Sequence, residues 1–199
     1  MTSLSLIPDL STEDRDTLRD AWKQWGMDMQ MTIFEEELSE LGEALTLAHT
    51  DHIHWSEQVF EELADVLICF QQIEVYLREF PTNLEGTHTL WMDVEEHAAS
   101  TEVEGADPDN LLLLHSLRVV KTLAKTRRYN NGNPLWNFVI LSELGALLRV
   151  MQRTEQYLRD VAWICPHPHW AEVEKVRAAK MIRLRHRLEE AKAAEGEEE

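Results

Sequence analysis

Cysteine is scarce: Cys69 and Cys165 are the only two in 199 residues, and their spacing matches no metal-binding pattern. A disulfide scaffold and a thiolate zinc site are therefore excluded, and a reduced, cytoplasmic chain is the simple expectation. Long apolar runs are also missing. None approaches the ~18 residues that a membrane-spanning helix needs, so no span is expected. Met1 to Leu10 lacks a basic stretch leading into a long apolar one, and no signal peptide is expected. Basic residues are sparse in one half only. Residues 1–100 hold 22 Asp/Glu against 4 Lys/Arg, whereas residues 101–199 hold 15 of each, so the net charge of −18 arises in the first half. Such an acidic chain disfavours non-specific binding to nucleic acid.

Strand-like alternation is nearly absent, and the periodicity is helical almost throughout. The apolar fraction of 44% is ordinary for a globular protein and sufficient for a real core. Ser11 with Asp14 forms a capping pattern that opens a helix bearing Leu18, Ala21, Trp22 and Trp25. Thr32 with Glu35 is expected to cap a second helix reaching about Ala48, and a polar loop, His49 to His54, follows. A third helix is expected from about Ser56 to Glu79, stopped by Pro81, and a short one near Leu90–Ala99. Gly105-Ala106-Asp107-Pro108 is the clearest break, and it divides the chain into residues 1–104 and 105–199, expected to pack as one domain. Beyond it, Asp109 is expected to cap a helix reaching Tyr129, with a loop at Asn130 to Pro134. Two more helices are expected, over Leu135–Val161 and Trp170–Ala194, before an acidic tail.

The most informative pattern is a repeated carboxylate set. Phe34-Glu35-Glu36-Glu37-Leu38-Ser39-Glu40-Leu41 is echoed by Val59-Phe60-Glu61-Glu62-Leu63-Ala64-Asp65-Val66. On helices, Phe34, Leu38, Leu41 and Leu45 form one narrow stripe, and Val59, Leu63, Val66 and Phe70 form its counterpart. Glu37 and Glu40 flank the first stripe on the side where Glu62 and Asp65 flank the second. If the helices pack by their stripes, four carboxylates meet at the core's edge. Their repulsion at low dielectric calls for a cation, and oxygen-only ligation points to a hard ion such as Mg2+ or Mn2+. A single set of this kind is usually a solvated face, but two in phase on neighbouring helices are much rarer. A weaker echo, Ser39-Glu40-Leu41-Gly42 against Ser142-Glu143-Leu144-Gly145, lacks the neighbouring acids.

Glu-Glu-x-x-Glu followed by Glu-x-x-Asp on an adjacent helix resembles the signature of the all-α nucleoside triphosphate pyrophosphohydrolases, the MazG-like enzymes related to the dimeric dUTPases. Trp25-Gly26-Met27-Asp28-Met29-Gln30-Met31-Thr32 is similar to the lead-in of some members. The match covers residues 20–80. It implies an all-α fold with a four-helix-bundle core and additional C-terminal helices. It further implies hydrolysis of a (deoxy)nucleoside triphosphate to the monophosphate and pyrophosphate with Mg2+ or Mn2+, and assembly as a homo-oligomer. The ligands carried over are Glu37, Glu40, Glu62 and Asp65. Glu36 and Glu61 lead the two motifs as catalytic candidates, Glu36 for positioning or deprotonating the attacking water.

Such a substrate needs groups for its phosphates and its base. Lys121, Lys125 and Arg128, at helical spacings of four and three, form a basic stripe suited to phosphate, against the ordinary reading of a solvated face. Trp22, Trp25 and Trp55 flank the motif helices as stacking or packing residues, and Gln30 or Asn133 can read a base edge. Lys175, Arg177, Lys180, Arg183, Arg185 and Arg187 are expected to solvate the last helix or pair with acids. His49, His52 and His54 are expected to be loop residues rather than zinc ligands, as are His167 and His169. Two other functions compete. A di-iron carboxylate oxidase needs Glu-x-x-His on two helices, and neither motif ends in His. A non-catalytic acidic interaction protein would spread its acids over a surface instead of registering them against a core stripe.

Overall fold

The apolar stripes read from the sequence are the seams along which the helices pack. A computed structural model describes residues 10–51, 55–79, 88–103, 107–129, 138–161 and 169–196. These residues form an all-α fold of seven helices: α1 (Thr12–Trp25), α2 (Met27–Thr50), α3 (Glu57–Arg78), α4 (Leu90–Ser100), α5 (Pro108–Tyr129), α6 (Phe138–Val161) and α7 (His169–Gly196). Among the described residues there is no strand. No helix among them is long and apolar enough to cross a membrane.

Every stripe residue is buried: Phe34, Leu38, Leu41 and Leu45 on α2, and Val59, Leu63, Val66 and Phe70 on α3. Each such side chain contributes about 1.5–3 kcal/mol, and the acids lie beside this seam. Phe34 meets Phe70 edge-on at 6.0 Å, and Phe70 in turn meets Trp91 of α4 at 5.8 Å. One apolar cluster runs from Met31 to Val173 and draws on helices before and after Pro108, and a smaller one joins Leu18, Ile68, Val75 and Met181.

Ion pairs and hydrogen bonds fix the helix directions. Glu35 bonds Arg127 at 2.7 Å and His49 meets Asp109 at 2.6 Å, so α2 and α5 are antiparallel. Asp65 pairs with Lys180, and Gln71 accepts from Arg177 at 3.2 Å, so α7 runs antiparallel along α3. Arg185 pairs with Asp14 and Lys192 with Asp20, which lays α7 parallel to α1. The central helix is α3, covered by α1, α2, α4 and α7.

Several helix boundaries agree with the sequence. Ser11 Oγ accepts from the Asp14 amide at 3.0 Å, and Ser56 Oγ accepts from the Val59 amide at 3.3 Å. Three do not. Thr32 does not cap α2, which begins at Met27, directly after Gly26. Gly26 has φ +80°, a conformation glycine adopts without strain, and this bend lets α1 pass into α2 with no loop. Thr32 Oγ1 instead donates to the Asp28 carbonyl inside the helix. Helix α2 also extends through Thr50, which places His49 on the helix rather than in a loop. Asp109 lies inside the first turn of α5, which starts at Pro108, and its buried carboxylate ties α5 to α2 through His49. Pro81, His52, His54, Gly105 and the Asn130–Pro134 loop fall outside the described residues.

The Ser-Glu-Leu-Gly echo serves different packing in its two copies. A Cβ at Gly145 would lie 2.5 Å from His97 Cβ, 2.7 Å from the Val94 carbonyl oxygen and 2.9 Å from the Ala98 nitrogen. Two of these are backbone atoms, fixed by α4. A Cβ at Gly42 would meet only Leu113 Cδ1, at 3.5 Å. Gly145→Ala is expected to cost about 1–3 kcal/mol. Gly42→Ala should be neutral or stabilising by up to about 1 kcal/mol, the usual helix-propensity gain. Thermal unfolding of the two variants checks this, and an unchanged melting temperature for Gly145→Ala would contradict the close approach of α4 to α6.

Candidate metal centre

Stripe-to-stripe packing of α2 on α3 brings the acids beside the seam together. Carboxylate oxygens of Glu37, Glu40 and Glu62 lie within 4.8 Å of one another, and this is the one such group of three among the described residues. Glu37 and Glu62 are half-buried and Glu40 is exposed. Three carboxylates from two helices, open on one side, offer a hard divalent ion oxygen ligands and leave positions for water or phosphate.

Asp65, the fourth acid of the pattern, is near the group but is held by Lys180 of α7. The lysine Nζ donates to the Asp65 carboxylate and, at 3.3 Å, to the Glu61 backbone carbonyl. The expected quartet is thus three clustered carboxylates beside one ion pair. Glu36 and Glu61 are exposed and stand outside the group of three.

The electrostatics reflect this crowding. Burial, with the Glu40, Glu62 and Glu36 charges, pushes the Glu37 carboxyl up to about 7, against the opposing pull of Lys180. Burial and then Glu40 also raise Glu62. Burial lowers the Lys180 ammonium, while Glu37, Glu62 and Glu61 act to raise it. Burial also raises the nearby Cys69 thiol, and Glu37 adds to the effect. A thiol so raised is a poor nucleophile.

A cavity of about 480 Å³ adjoins the carboxylates, within the usual range for small-molecule sites. Three helices line most of it, each with residues brought to one face by helical spacing, and the end of α1 adds a fourth contribution. Helix α2 presents Gln30, Ile33 and Glu37, α3 presents Asp65, Ile68, Cys69 and Gln72, and α7 presents Lys180, Arg183, Leu184 and Arg187. Trp25 and Met29 complete the wall where Gly26 bends the chain. Gln30 is only 3% exposed, and its Nε2 has no hydrogen-bond partner. A buried amide donor left unpaired costs about 1–3 kcal/mol, which a ligand acceptor would recover. Glu37 belongs to both the carboxylate group and the cavity wall.

The other expected residues are placed elsewhere. Lys121, Lys125 and Arg128 are exposed on α5 and do not line the cavity. Glu35, to which α5 is tied through Arg127, lies about 200° around α2 from Glu37, so the basic stripe faces a different flank. The cations that do line the cavity come from α7. The sequence carried that signal, since Lys180, Arg183 and Arg187 recur at three and four residues, but the helix is charged on all sides and the face does not stand out. Most other α7 cations pair with acids as expected: Lys175 with Glu172, Arg185 with Glu13 and Asp14, and Lys192 with Asp20. Of the flanking tryptophans, Trp22 packs edge-on against Tyr76 at 5.1 Å and Trp55 stacks on Phe60 at 6.4 Å, which leaves Trp25 as the cavity residue. Asn133 lies outside the described residues. No family profile, curated protein or solved structure matches this chain.

Proposed function

We propose that the chain is a divalent-metal-dependent nucleoside triphosphate pyrophosphohydrolase with a MazG-like core, releasing a (deoxy)nucleoside monophosphate and pyrophosphate. The observation that carries this reading is the convergence of Glu37, Glu40 and Glu62 beside a cavity that shares Glu37 and holds an unpaired Gln30 amide. In this reading those three carboxylates hold Mg2+ or Mn2+. A bound ion of this kind polarises a phosphoryl oxygen and lowers the pKa of coordinated water.

The protein's own groups would do the rest. Gln30 Nε2 donates to a carbonyl or ring nitrogen on the base edge, and Trp25 offers an aromatic face for stacking. Ile33, Ile68 and Leu184 exclude water around the base. Arg183 and Arg187 line the cavity and present guanidinium groups that suit phosphate oxygens, and this reading assigns them that role in place of Lys121, Lys125 and Arg128. Glu36, solvent-exposed next to Glu37 in the chain, keeps the water-activating role that the family resemblance implies. Exposed Leu114, Leu117, Phe138 and Val139 on α5 and α6 support the expected self-association.

Incubation with each deoxynucleoside triphosphate and Mn2+, followed by product separation, tests the reading. The expected products are one monophosphate and pyrophosphate in equal amounts. Diphosphate plus phosphate, or no turnover of any nucleotide, would overturn it.

A further inference from the structure

We propose that Lys180 takes the place of a second divalent ion, so that the metal centre holds one ion per chain and a protein-borne ammonium supplies the remaining charge. The inference rests on the metal-binding reading of Glu37, Glu40 and Glu62 and concerns what completes that site.

The four acids of the pattern divide unevenly. The pattern places two on each helix, and a symmetric quartet of that kind could bridge two ions. The structure instead groups three carboxylates and joins the fourth, Asp65, to Lys180. Lys180 sits at the boundary between Asp65 and the group, donating to Asp65 and to the Glu61 carbonyl while its charge acts on both Glu37 and Glu62. The acids and the ammonium leave a formal charge of −3 at the centre, and one divalent ion brings it to −1. A second ion would have to displace Lys180 from Asp65 and then share a small volume with an ammonium and another dication.

Displacing Lys180 alone is hindered by how α7 is anchored. Met181, next to Lys180, and Leu188 at the far end of the cavity-facing stretch are both buried. Arg177 reaches Gln71, and Arg185 reaches Asp14 and Glu13. The lysine side chain is only 20% exposed, so leaving Asp65 would give up buried stem contacts as well as the ion pair. The unpaired, buried Gln30 Nε2 in the same cavity is independent evidence that a ligand belongs there.

Equilibrium titration of the metal-free full chain with Mn2+, followed by the spin-resonance signal of the free ion, counts the bound ions. Weak binding to the many surface acids is defined by a Glu37→Gln/Glu40→Gln variant and subtracted. The wild-type chain is expected to bind about one ion, and Lys180→Met about two, because Asp65 is freed. Lys180→Arg retains a cation and should stay at about one, which guards against a Met variant that fails to fold; circular dichroism checks both. Two ions in the wild-type chain, or one in both wild type and Lys180→Met, would overturn the role of Lys180 while leaving the metal centre intact. Absence of any specific Mn2+ in the wild-type chain would remove the metal centre itself, and this inference with it.

Discussion

Glu37→Gln should abolish nucleotide turnover and at the same time make the metal-free protein more stable. The two effects share one cause. Glu37 is the most crowded acid of the group, half-buried and facing Glu40, Glu62 and Glu36, with Lys180 as its counterweight. Removing its charge takes away an oxygen anion that a divalent ion needs, so turnover should fall by more than about 100-fold, the upper end of what losing a ligand's hydrogen-bonding neighbour costs. Without metal, the same change relieves repulsion. An upper bound follows from a carboxyl held near 7 instead of about 4.5; solvent screening at a half-exposed site reduces the gain to about 1–2 kcal/mol at pH 8. Steady-state kinetics and chemical denaturation in the presence of a chelator measure the two effects. A variant that keeps its activity, or that is less stable without metal, would mean these carboxylates are not poised for a cation.

The second large effect is on pH dependence. A carboxyl whose folded pKa is raised binds its proton more tightly in the native state than in the unfolded chain. Stability must then fall as pH rises from the unfolded value, near 4.5, through about 7, and level off above it. The raised Glu62 adds in the same direction. The curve for wild type minus that for Glu37→Gln cancels the other groups and leaves the contribution of Glu37. With saturating Mn2+ the decline should vanish or reverse, because ion and proton compete for the same oxygens. Thermal unfolding at pH 5 and pH 8, with chelator and with Mn2+, reads both arms. A metal-free protein whose Glu37-dependent stability increases with pH would show that the carboxyl is not held protonated by its neighbours.

The sequence disclosed the seam and the acids beside it because both follow from helical geometry alone. Once Phe34, Leu38, Val59 and Leu63 are assigned to the core, the positions of Glu37 and Glu62 are determined within one turn. Ser11 was readable as a cap because the chemistry is local, from a side-chain oxygen to an amide three residues on, and Ser56, read only as a helix start, caps in the same way. Gly26 was not, since a single positive-φ residue replaced the loop that separate helices lead one to expect. The helix start assigned to Thr32 was an error of the same kind: a hydroxyl inside a helix can bond back to the carbonyl four residues earlier and looks no different in sequence. The largest omission was the α7 face. Which of its many cations meet the cavity depends on how the helix is rotated when it docks on α3, and that is set by Met181 and Leu188 rather than by any property of the cations themselves. Lys121, Lys125 and Arg128 formed the more obvious stripe, yet α5 is tied to α2 through Arg127, the neighbour of Arg128.

The pairing of Asp65 with Lys180 joins positions 115 residues apart, and that distance orders how the molecule comes together. Helices α2 and α3 are synthesised and can zip up long before α7 exists, so their crowded acids must first be tolerated with counter-ions lent by the solvent. Only when the final helix settles does the chain provide a cation of its own. A hairpin of α2 and α3 without α7 would carry all four acids and no lysine among them, so its formation should depend on dissolved salt more strongly than that of the whole fold.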